Sequence, residues 1–577
     1  MRSINGRLPL LMILILQIAR FATGVTSWFF IVLISLVTCL FGLLGFLDSY
    51  QTIGWAEFLD AAFQTIQLFL LEFDAKDDIN TKLQIARFSA CFVVFSSLIK
   101  TAFQAFDKEL SNLLTQTSKG HVIVFGAGPR GIRLAIELAN QKQDVVLVDT
   151  ILDTNVVIPY KPNLKYYRGD SRTISVMQSV NFAHCNSFFL AHESDEINFD
   201  ILVAANKSMD GVITTVKQCF LHAIQMRKLA SVINELRLHQ IDLRLYNYDD
   251  IIVRSFTNVF KADAEFLLSD DGEIYILGNS HVTQALLKQI ARSYLKPTED
   301  KLNIILISEN ATKTQTYFYE CYPESKFLIN LQAVDASEHT VAFKKFTEKI
   351  RNRQNAIFFI CNECDTAGIF DFLDLVDDFK VPVSNIALQQ SDGIAFKNAL
   401  GAGNHEISQI QLFGLIDENC SLEAIMAETL DQLARVIHEK YLTEKLNGGA
   451  KAGSTGALLP WRELSEQYKQ ANRVQADHIN TKLRIAGIRT KKTSEQNPSF
   501  EFTAAEIELL ARIEHRRWAA ERYLDGWSFG EVRDDIAKLH PDLIPWEKLS
   551  DEIKGYDREP IKQIPELLNQ IGLCLVR

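Results

Sequence analysis

Three glycines, Gly126, Gly128 and Gly131, stand at GxGxxG spacing in "HVIVFGAGPRGIRLAIELANQKQDVVLVD". No other stretch of the chain concentrates so much potential chemistry. The apolar run His121–Phe125 is expected to form a strand, the run from Ile132 a helix, and Asp144–Val148 a second strand ending on Asp149. In that setting Gly126 makes a tight turn, Gly128 lets a pyrophosphate approach the backbone, and Gly131 packs helix against strand. The helix N-terminus offers free N–H groups and the positive end of its dipole to phosphates. Arg130, in the same loop, joins the candidate cofactor-binding residues. Asp149 is placed to accept hydrogen bonds from ribose hydroxyls, which favours NAD or an adenosine nucleotide over NADP.

The continuation, "YYRGDSRT" (Tyr166–Thr173) and then "SFFLAHESDEINFDILVAA", gives residues 120–265 a resemblance to the TrkA-N family, the RCK-type domains that regulate potassium channels and uptake systems. The resemblance implies that Asp170 lies near the adenosine. It also implies that Ala191–Asn198 closes over a regulatory NAD or adenosine nucleotide. No substrate domain with a placed acid, base or nucleophile follows the unit, so an enzyme is not expected.

A second unit is expected over residues 270–446. "EIYILGNSHVTQALLKQIARSYL" (Glu273–Leu295) repeats strand, glycine turn and helix, and "KLNIILISE" supplies the next strand. Of the three glycines only Gly278 remains, which obstructs phosphate approach, so this Rossmann-like unit is read as degenerate and structural or dimerising. A helical stretch, "LEAIMAETLDQLARVIHEKYLTEKL", closes it, and "NGGAKAGSTGA" (residues 447–457) is read as a flexible linker. The lone CxxC at Cys361–Cys364 is expected to be structural.

The elements that must carry these units begin in an apolar region, residues 1–115. Phe21–Leu47 holds 27 residues without a charge, enough to span a bilayer with some tilt. A second span is expected over 82–106, where Arg87 and Lys100 snorkel. The acid-bearing apolar stretch 55–73 fits a re-entrant helix, and the opening residues fit an interfacial helix. Arg2, Arg7 and Arg20 precede the first span and Lys100, Lys108 and Lys119 stand at or after the end of the second, whereas the loop between is acidic. The N-terminus and the C-terminal domains are thus expected in the cytoplasm, with the chain multi-pass in the plasma (inner) membrane.

Span, re-entrant helix, span and nucleotide domain together resemble two-span potassium channels. A carbonyl filter of the TVGYG type needs glycines, yet none occurs between Gly54 and Gly120. Candidate pore positions are therefore side chains: Thr65, Gln67, Glu72 and Asp74. The acids are read either as an outer ring that favours cations or as solvated loop charges.

The end of the chain contains an echo. "LIPWEKLSDEIKGYDREPIKQI" (Leu543–Ile564) repeats "LLPWRELSEQYKQANRVQADHI" (Leu458–Ile479), with Pro, Trp, Leu, Ser, Lys, Arg and Ile aligned. Between and within them, His515, Trp518, Arg522, Gly526, Trp527, Gly530, Asp535, Lys538, Pro541, Pro545 and Leu549 carry the pattern of the ryanodine-receptor repeat (RyR) domain. Lys554, Asp557 and Arg558 extend the pattern, and residues 458–577 thus resemble this all-α family of two related helical halves. Pro460 and Pro545 are expected to start helices on which Trp461 and Leu464, and Trp546 and Leu549, share a face. "TAAE" (Thr503–Glu506) reads as a capping box.

RyR domains are linked with nucleotide-derived ligands. The candidate ligand residues are Trp461, Lys469, Arg473, His515, Trp518, Arg522, Trp546, Lys554 and Arg558. The like-charged pairs Lys469/Arg473 and Lys554/Arg558 either hold an anion between the halves or pair with Glu466 and Asp551. The tryptophans are either core or base-stacking platforms.

Net charge is −11 and the pI about 5.7, which argues against nucleic acid as the main partner. The 9 scattered cysteines do not form a disulfide framework. The expected architecture is multidomain: a helical membrane segment, two α/β Rossmann-like units and an all-α C-terminal domain. The expected partners are the lipid bilayer, small nucleotides and further copies of the chain in a homotetramer, since pore folds of this kind close by symmetry. The function that follows is a ligand-gated, channel-like protein related to potassium transport; the alternative is a non-conducting nucleotide-sensing scaffold. No metal is expected.

Overall fold

The computed structural model describes the chain outside residues 1–24, 53, 71, 73–79, 151–160, 210–215, 225–228, 230–232, 234–235, 237, 239, 260–265, 267–268, 270–271, 294, 296–297, 337–354, 378–380, 392–409, 416–424, 426–430 and 493–499. Within helices, the side chains of 25–30, 99–100, 102–114, 257–259 and 466–467 are also outside the description. The expected interfacial helix and Asp74 lie outside it.

Three helices lead: α1 (Val25–Leu47), α2 (Trp55–Phe69) and α3 (Thr81–Gln116). Among the described residues no helix is long and apolar enough to cross a membrane. Small residues let these helices approach closely. A Cβ on Gly42 would meet Thr65 Cγ2 at 2.8 Å, and one on Gly45 would meet the Leu83 backbone at 3.0 Å. Asn80 caps α3 through the Leu83 amide and ties it back to the Gly45 carbonyl, both at 2.8 Å. Large apolar side chains remain exposed on all three, among them Leu36, Phe63, Ile66 and Phe88.

The first α/β unit runs β1 (Val122–Phe125), α4 (Pro129–Asn140), β2 (Val145–Asp149), β3 (Leu164–Arg168), α5 (Ile174–Ser179), β4 (Ser187–Leu190), α6 (Asp195–Ser208), β5 (Lys217–His222), β6 (Ile241–Tyr246) and α7 (Tyr248–Val259). Its sheet is parallel throughout, in the order β3-β2-β1-β4-β5-β6. Strand alternation feeds two cores. Ile123, Phe125, Val146 and Val148 face one layer, and Val122, Val124, Val145 and Leu147 the other.

The second unit repeats this pattern with β7 (Glu273–Leu277), α8 (Thr283–Ser293), β8 (Leu302–Ser308), α9 (Ala311–Cys321), β9 (Ile329–Asp335), β10 (Ala356–Ile360), α10 (Asp365–Asp377), β11 (Ile386–Gln389) and β12 (Gln411–Phe413). The parallel order β12-β11-β10-β7-β8-β9 is the first sheet's order, read from the other end. Both sheets therefore change direction beside their first strand, the place where open α/β sheets form a ligand crevice.

Helix α11 (Gln432–Asn447) precedes the C-terminal unit, which comprises α12 (Glu466–Ile485), β13 (Arg489–Lys492), α13 (Ala504–Leu524), β14 (Ser528–Phe529), β15 (Leu539–His540), α14 (Asp551–Gln570) and β16 (Leu573–Val576). The sequence echo is structural. Each copy is a 3-10 turn (Trp461–Glu463, Trp546–Lys548), a 20-residue helix and a strand, and the two strands pair antiparallel as β13 and β16.

The prolines, however, do not open the long helices. Each 3-10 turn ends on an extended leucine, Leu464 or Leu549, and the helices start after Ser465 and Ser550. Serine at the N-cap leaves its backbone extended and, at Ser550, accepts the Ile553 amide. The capping box at Thr503–Glu506 is present.

The stretch 447–457 is a chain of turns with its own hydrogen bonds, Gly453 to Leu458 at 2.8 Å and Ala450 to Lys445 at 3.0 Å. One hydrophobic cluster runs from Ile252 on α7 through the second sheet to Leu575 on β16. The second α/β unit and the C-terminal unit thus share a core.

Candidate functional site

The glycine loop lies at the direction change of the first sheet. Gly126 has φ +111°, and a Cβ there would lie 2.9 Å from the Ala191 and His192 backbone, so the turn needs glycine. A Cβ on Gly131 would lie 2.0 Å from the Gly126 carbonyl oxygen, which lets α4 start hard against the loop. Gly128 differs: a Cβ there meets nothing within 4 Å. It is the N-cap of α4, in extended conformation, with Pro129 at N1. The loop is therefore packed where Gly126 and Gly131 sit and open at Gly128, where the first turn of α4 presents its amides. These are the features a dinucleotide or nucleoside-diphosphate site needs.

Asp149 ends β2 beside the loop. Its Oδ2 accepts the Ala127 amide and its Oδ1 the Thr150 amide, both at 2.6 Å. The carboxylate thus braces the loop and has only its remaining lone pairs for a ribose. His192 Nε2 lies 4.0 Å from Asp149 Oδ2, and burial holds the imidazole below its ordinary pKa. Asp170 is turned to its neighbour: Arg172 grips both carboxylate oxygens at 3.0 Å and holds the carboxyl below the usual range.

Arg130 leaves the loop sideways. It donates to Asp249 Oδ1 at 3.1 Å and to His281 Nε2 at 2.9 Å, and lies over the Tyr248 ring at 5.4 Å. Burial works against the charge of Asp249, but the His281 hydrogen bond and Arg130 outweigh it and hold the carboxyl down. Neither Asp249 nor His281 was expected from the sequence. They stand 119 and 151 residues from Arg130, and although His281 lies in the glycine turn of the second unit, nothing local points it at Arg130.

The corresponding crevice of the second unit is filled. A Cβ at Gly278 would meet Asn362 Oδ1 at 2.0 Å, Asn362 donates to Asp371 at 2.6 Å, and Ser280 donates to Gln389 at 2.6 Å. Side chains occupy the space that a phosphate needs. Cys361 is buried and Cys364 exposed, both as free thiols.

In the C-terminal unit the candidate ligand residues separate into two groups. Arg473 is held by Asp431 through Nε at 2.8 Å and Nη2 at 2.7 Å, and Arg558 by Glu508 and Asp551, each at 2.8 Å. The two arginines are thus paired with carboxylates of the chain itself, Arg558 with Asp551 among them. The partner of Arg473 is Asp431 on the segment before α11, a residue the sequence reading did not weigh. Lys554 lies 5.5 Å from the Trp546 ring centroid, and Lys469 is half-buried. Trp546 is core and donates to Glu508 at 3.2 Å. Trp461 is half-buried, 6.0 Å from the His438 ring. His515 is buried and donates from Nε2 to the Ile544 carbonyl at 3.0 Å, with Nδ1 facing Asp557 at 3.2 Å.

Trp518 and Arg522 form the second group. Arg522 lies over Trp518 at 5.8 Å and over Trp527 at 5.1 Å, and His540 meets the edge of Trp518 at 4.9 Å. The buried Nε of Arg522 has no hydrogen-bond partner. A guanidinium with an unused donor inside a box of π faces suits a planar or anionic ligand group. Trp527 and His540 belong to this box; the family pattern contained Trp527, but only the fold brings it to Arg522.

Of the pore candidates, Thr65 is buried against Gly42 and gives its hydroxyl to the Ala61 carbonyl at 2.7 Å, so it is a packing residue. Gln67 is half-buried and Glu72 exposed. On α2, Glu57, Asp60, Gln64 and Gln67 fall within about 80° of one another. This polar stripe lies beside the exposed apolar stripe of Trp55, Leu59, Phe63, Ile66 and Leu70. Gln64 and Tyr50 both donate to Asp60.

Residues 122–230 match the family model of the TrkA-N domain and residues 501–577 that of the RyR domain. Neither match reaches half of the chain. Among solved structures, the chain is similar to the GsuK channel bound to NAD, at 12% identity over 86% of this chain and 91% of that one, with a TM-score of 0.38. It is also similar to GsuK bound to ADP, at 14% identity over 68% of this chain and 94% of that one, TM-score 0.35. The GsuK RCK domain follows at 10% identity over 68% and 85%, TM-score 0.34.

Proposed function

We propose that this chain is a membrane-anchored, nucleotide-regulated, channel-like protein of the potassium-transport class, in which the first α/β unit binds NAD or an adenosine nucleotide as a regulatory ligand. The single observation that carries the reading is the shape of the glycine loop: packed at Gly126 and Gly131, open at Gly128, and set on a helix N-terminus. The TrkA-N match over 122–230 supports it. The C-terminal unit takes a second phosphorylated small molecule at Trp518, Arg522, Trp527 and His540. The ligands act by shifting the population of closed and open arrangements, and no bond is made or broken.

Spans over 21–47 and 82–106 anchor the chain in the inner membrane of the cell, with the nucleotide units in the cytoplasm and four copies around an axis. The charge-free stretch Phe21–Leu47 and the exposed apolar faces of α1–α3 support this part. Ion flux into liposomes, with and without ADP or NAD, tests it. Flux that no nucleotide alters removes the regulatory half, and no flux at all favours the second reading.

That second reading is a non-conducting anchor that senses nucleotides. The burial of Thr65 against Gly42 and the absence of glycine from Trp55 to Lys119 favour it, because no carbonyl filter is available. Single-channel recording separates the two.

A further inference from the structure

Helix α7 is the chain's passage from the first α/β unit to the second, and each of its first two turns carries ion pairs to a different neighbour. Asp249 holds Arg130 of the glycine loop at 3.1 Å and faces His281 Nδ1 at 3.2 Å. Asp250 holds Lys288 on α8 of the second unit, with Lys288 Nζ 2.5 Å from Oδ1. Arg254 holds Asp431 at 2.7 Å and Asp477 on α12 of the C-terminal unit at 2.5 Å. The side chains of Asp249 and Asp431 are 4% and 2% exposed, so these are not solvent-screened surface pairs.

His281 sits in the glycine turn of the second unit, four residues past β7. Its network is satisfied when Nδ1–H donates to Asp249 and the bare Nε2 accepts from Arg130. The guanidinium of the first unit's phosphate loop is thereby held by the second unit.

We propose that Asp249 and His281 are positioning residues for Arg130, and that a nucleotide phosphate at Gly128 draws Arg130 away from them. Occupancy of the first unit is then read by the second unit and, through α7, by the C-terminal unit. The inference rests on the first unit being a nucleotide site. It assigns to the degenerate second unit, whose own crevice Asn362 fills, the role of sensing its neighbour's ligand. The energetic logic is competition: Arg130 cannot give its donors to Asp249 and His281 and also to a phosphate, so the strap opposes binding.

The experiment is calorimetry of ADP with the full chain in detergent, for wild type, His281→Ala, Asp249→Asn, Arg130→Ala and the double variant Arg130→Ala/His281→Ala. His281 is 48% exposed, so its truncation leaves the core intact even if Asp249→Asn does not fold. Releasing Arg130 in His281→Ala tightens ADP about three- to tenfold, and Arg130→Ala weakens it about tenfold. In the double variant the gain disappears, because there is no longer an arginine to release. Hydrogen exchange at residues 278–283 and 288 rises when ADP binds the wild type. Unchanged affinity in His281→Ala, or a gain that persists without Arg130, overturns the strap while leaving the nucleotide site standing. No heat in any protein overturns both.

Discussion

Two glycines three residues apart, Gly128 and Gly131, give opposite outcomes on substitution. At Gly131 an added Cβ would sit 2.0 Å from the Gly126 carbonyl oxygen and 3.0 Å from its carbon. The obstacle is backbone, so relief requires α4 to move by more than an ångström against a packed sheet. Overpacking costs about 1–3 kcal/mol, and a backbone obstacle puts Gly131→Ala at the upper end, about 3 kcal/mol. That lowers the melting temperature of a unit this size by roughly 6–12 °C. At Gly128, φ is −69° and the added Cβ meets nothing. Gly128→Ala therefore gains about 0.4–1 kcal/mol by restricting the unfolded chain.

Binding responds the other way. The open space at Gly128 is where a pyrophosphate reaches the α4 amides, so Gly128→Val weakens ADP or NAD by tenfold or more, about 1.4 kcal/mol. Thermal melting and calorimetry on the same preparations provide the assay. Undiminished ADP and NAD binding by a folded Gly128→Val protein would refute the reasoning, as would a Gly131→Ala protein as stable as wild type.

Three further outcomes are expected. Burial pushes His121 and His222 down to about 4, from an ordinary value of 6.5. Folded, both stay neutral where the unfolded chain takes up protons, so their stabilisation is complete above pH 6.5 and is lost as pH falls toward 4. Between pH 7 and 5 the first unit loses on the order of 2 kcal/mol per histidine, and a flat urea midpoint over that range would contradict this. In the C-terminal unit burial opposes the charge of Glu514, but Arg517 and the ion-paired Lys482 outweigh it and bring its carboxyl to about 2. Glu514→Gln leaves the buried Lys482 without its carboxylate and Arg517 with Glu521 alone, and costs about 3–5 kcal/mol in urea unfolding followed by tryptophan fluorescence, whereas Lys482→Met costs less because Arg517 still faces Glu514. Finally, Trp518→Ala and Arg522→Ala abolish binding of any mono-, di- or cyclic nucleotide that the C-terminal unit accepts, while Arg558→Ala leaves it; a ligand lost only with Arg558 would move the site.

What was legible in the sequence follows the range over which each feature is encoded. The glycine loop, its two strands and Asp149 lie within 29 residues, and short-range pattern carries them. The echoed Pro-Trp stretch was equally readable as a repeat. Its local form was not, because the prolines promised helix starts and the serines five residues later are the N-caps. The site residues that sequence reasoning missed are distant ones. Asp249 and His281 meet Arg130, Asp431 meets Arg473, and His540 meets Trp518 only after the fold closes. Of the carboxylates that meet Arg473 and Arg558, only Asp551, on the helix of Arg558, was readable locally; Asp431 and Glu508 come from other elements. Thr65 looked like a pore position because its packing partner, Gly42, belongs to another helix.

The central claim is that the first α/β unit receives an adenine nucleotide. Calorimetry of ADP and NAD against the purified full chain, paired with melting at saturating ligand, tests it most directly. The account predicts saturable heat and a rise of about 2.7 kcal/mol in stability at a hundredfold excess over Kd. Neither heat nor a shift in melting with either nucleotide would contradict it.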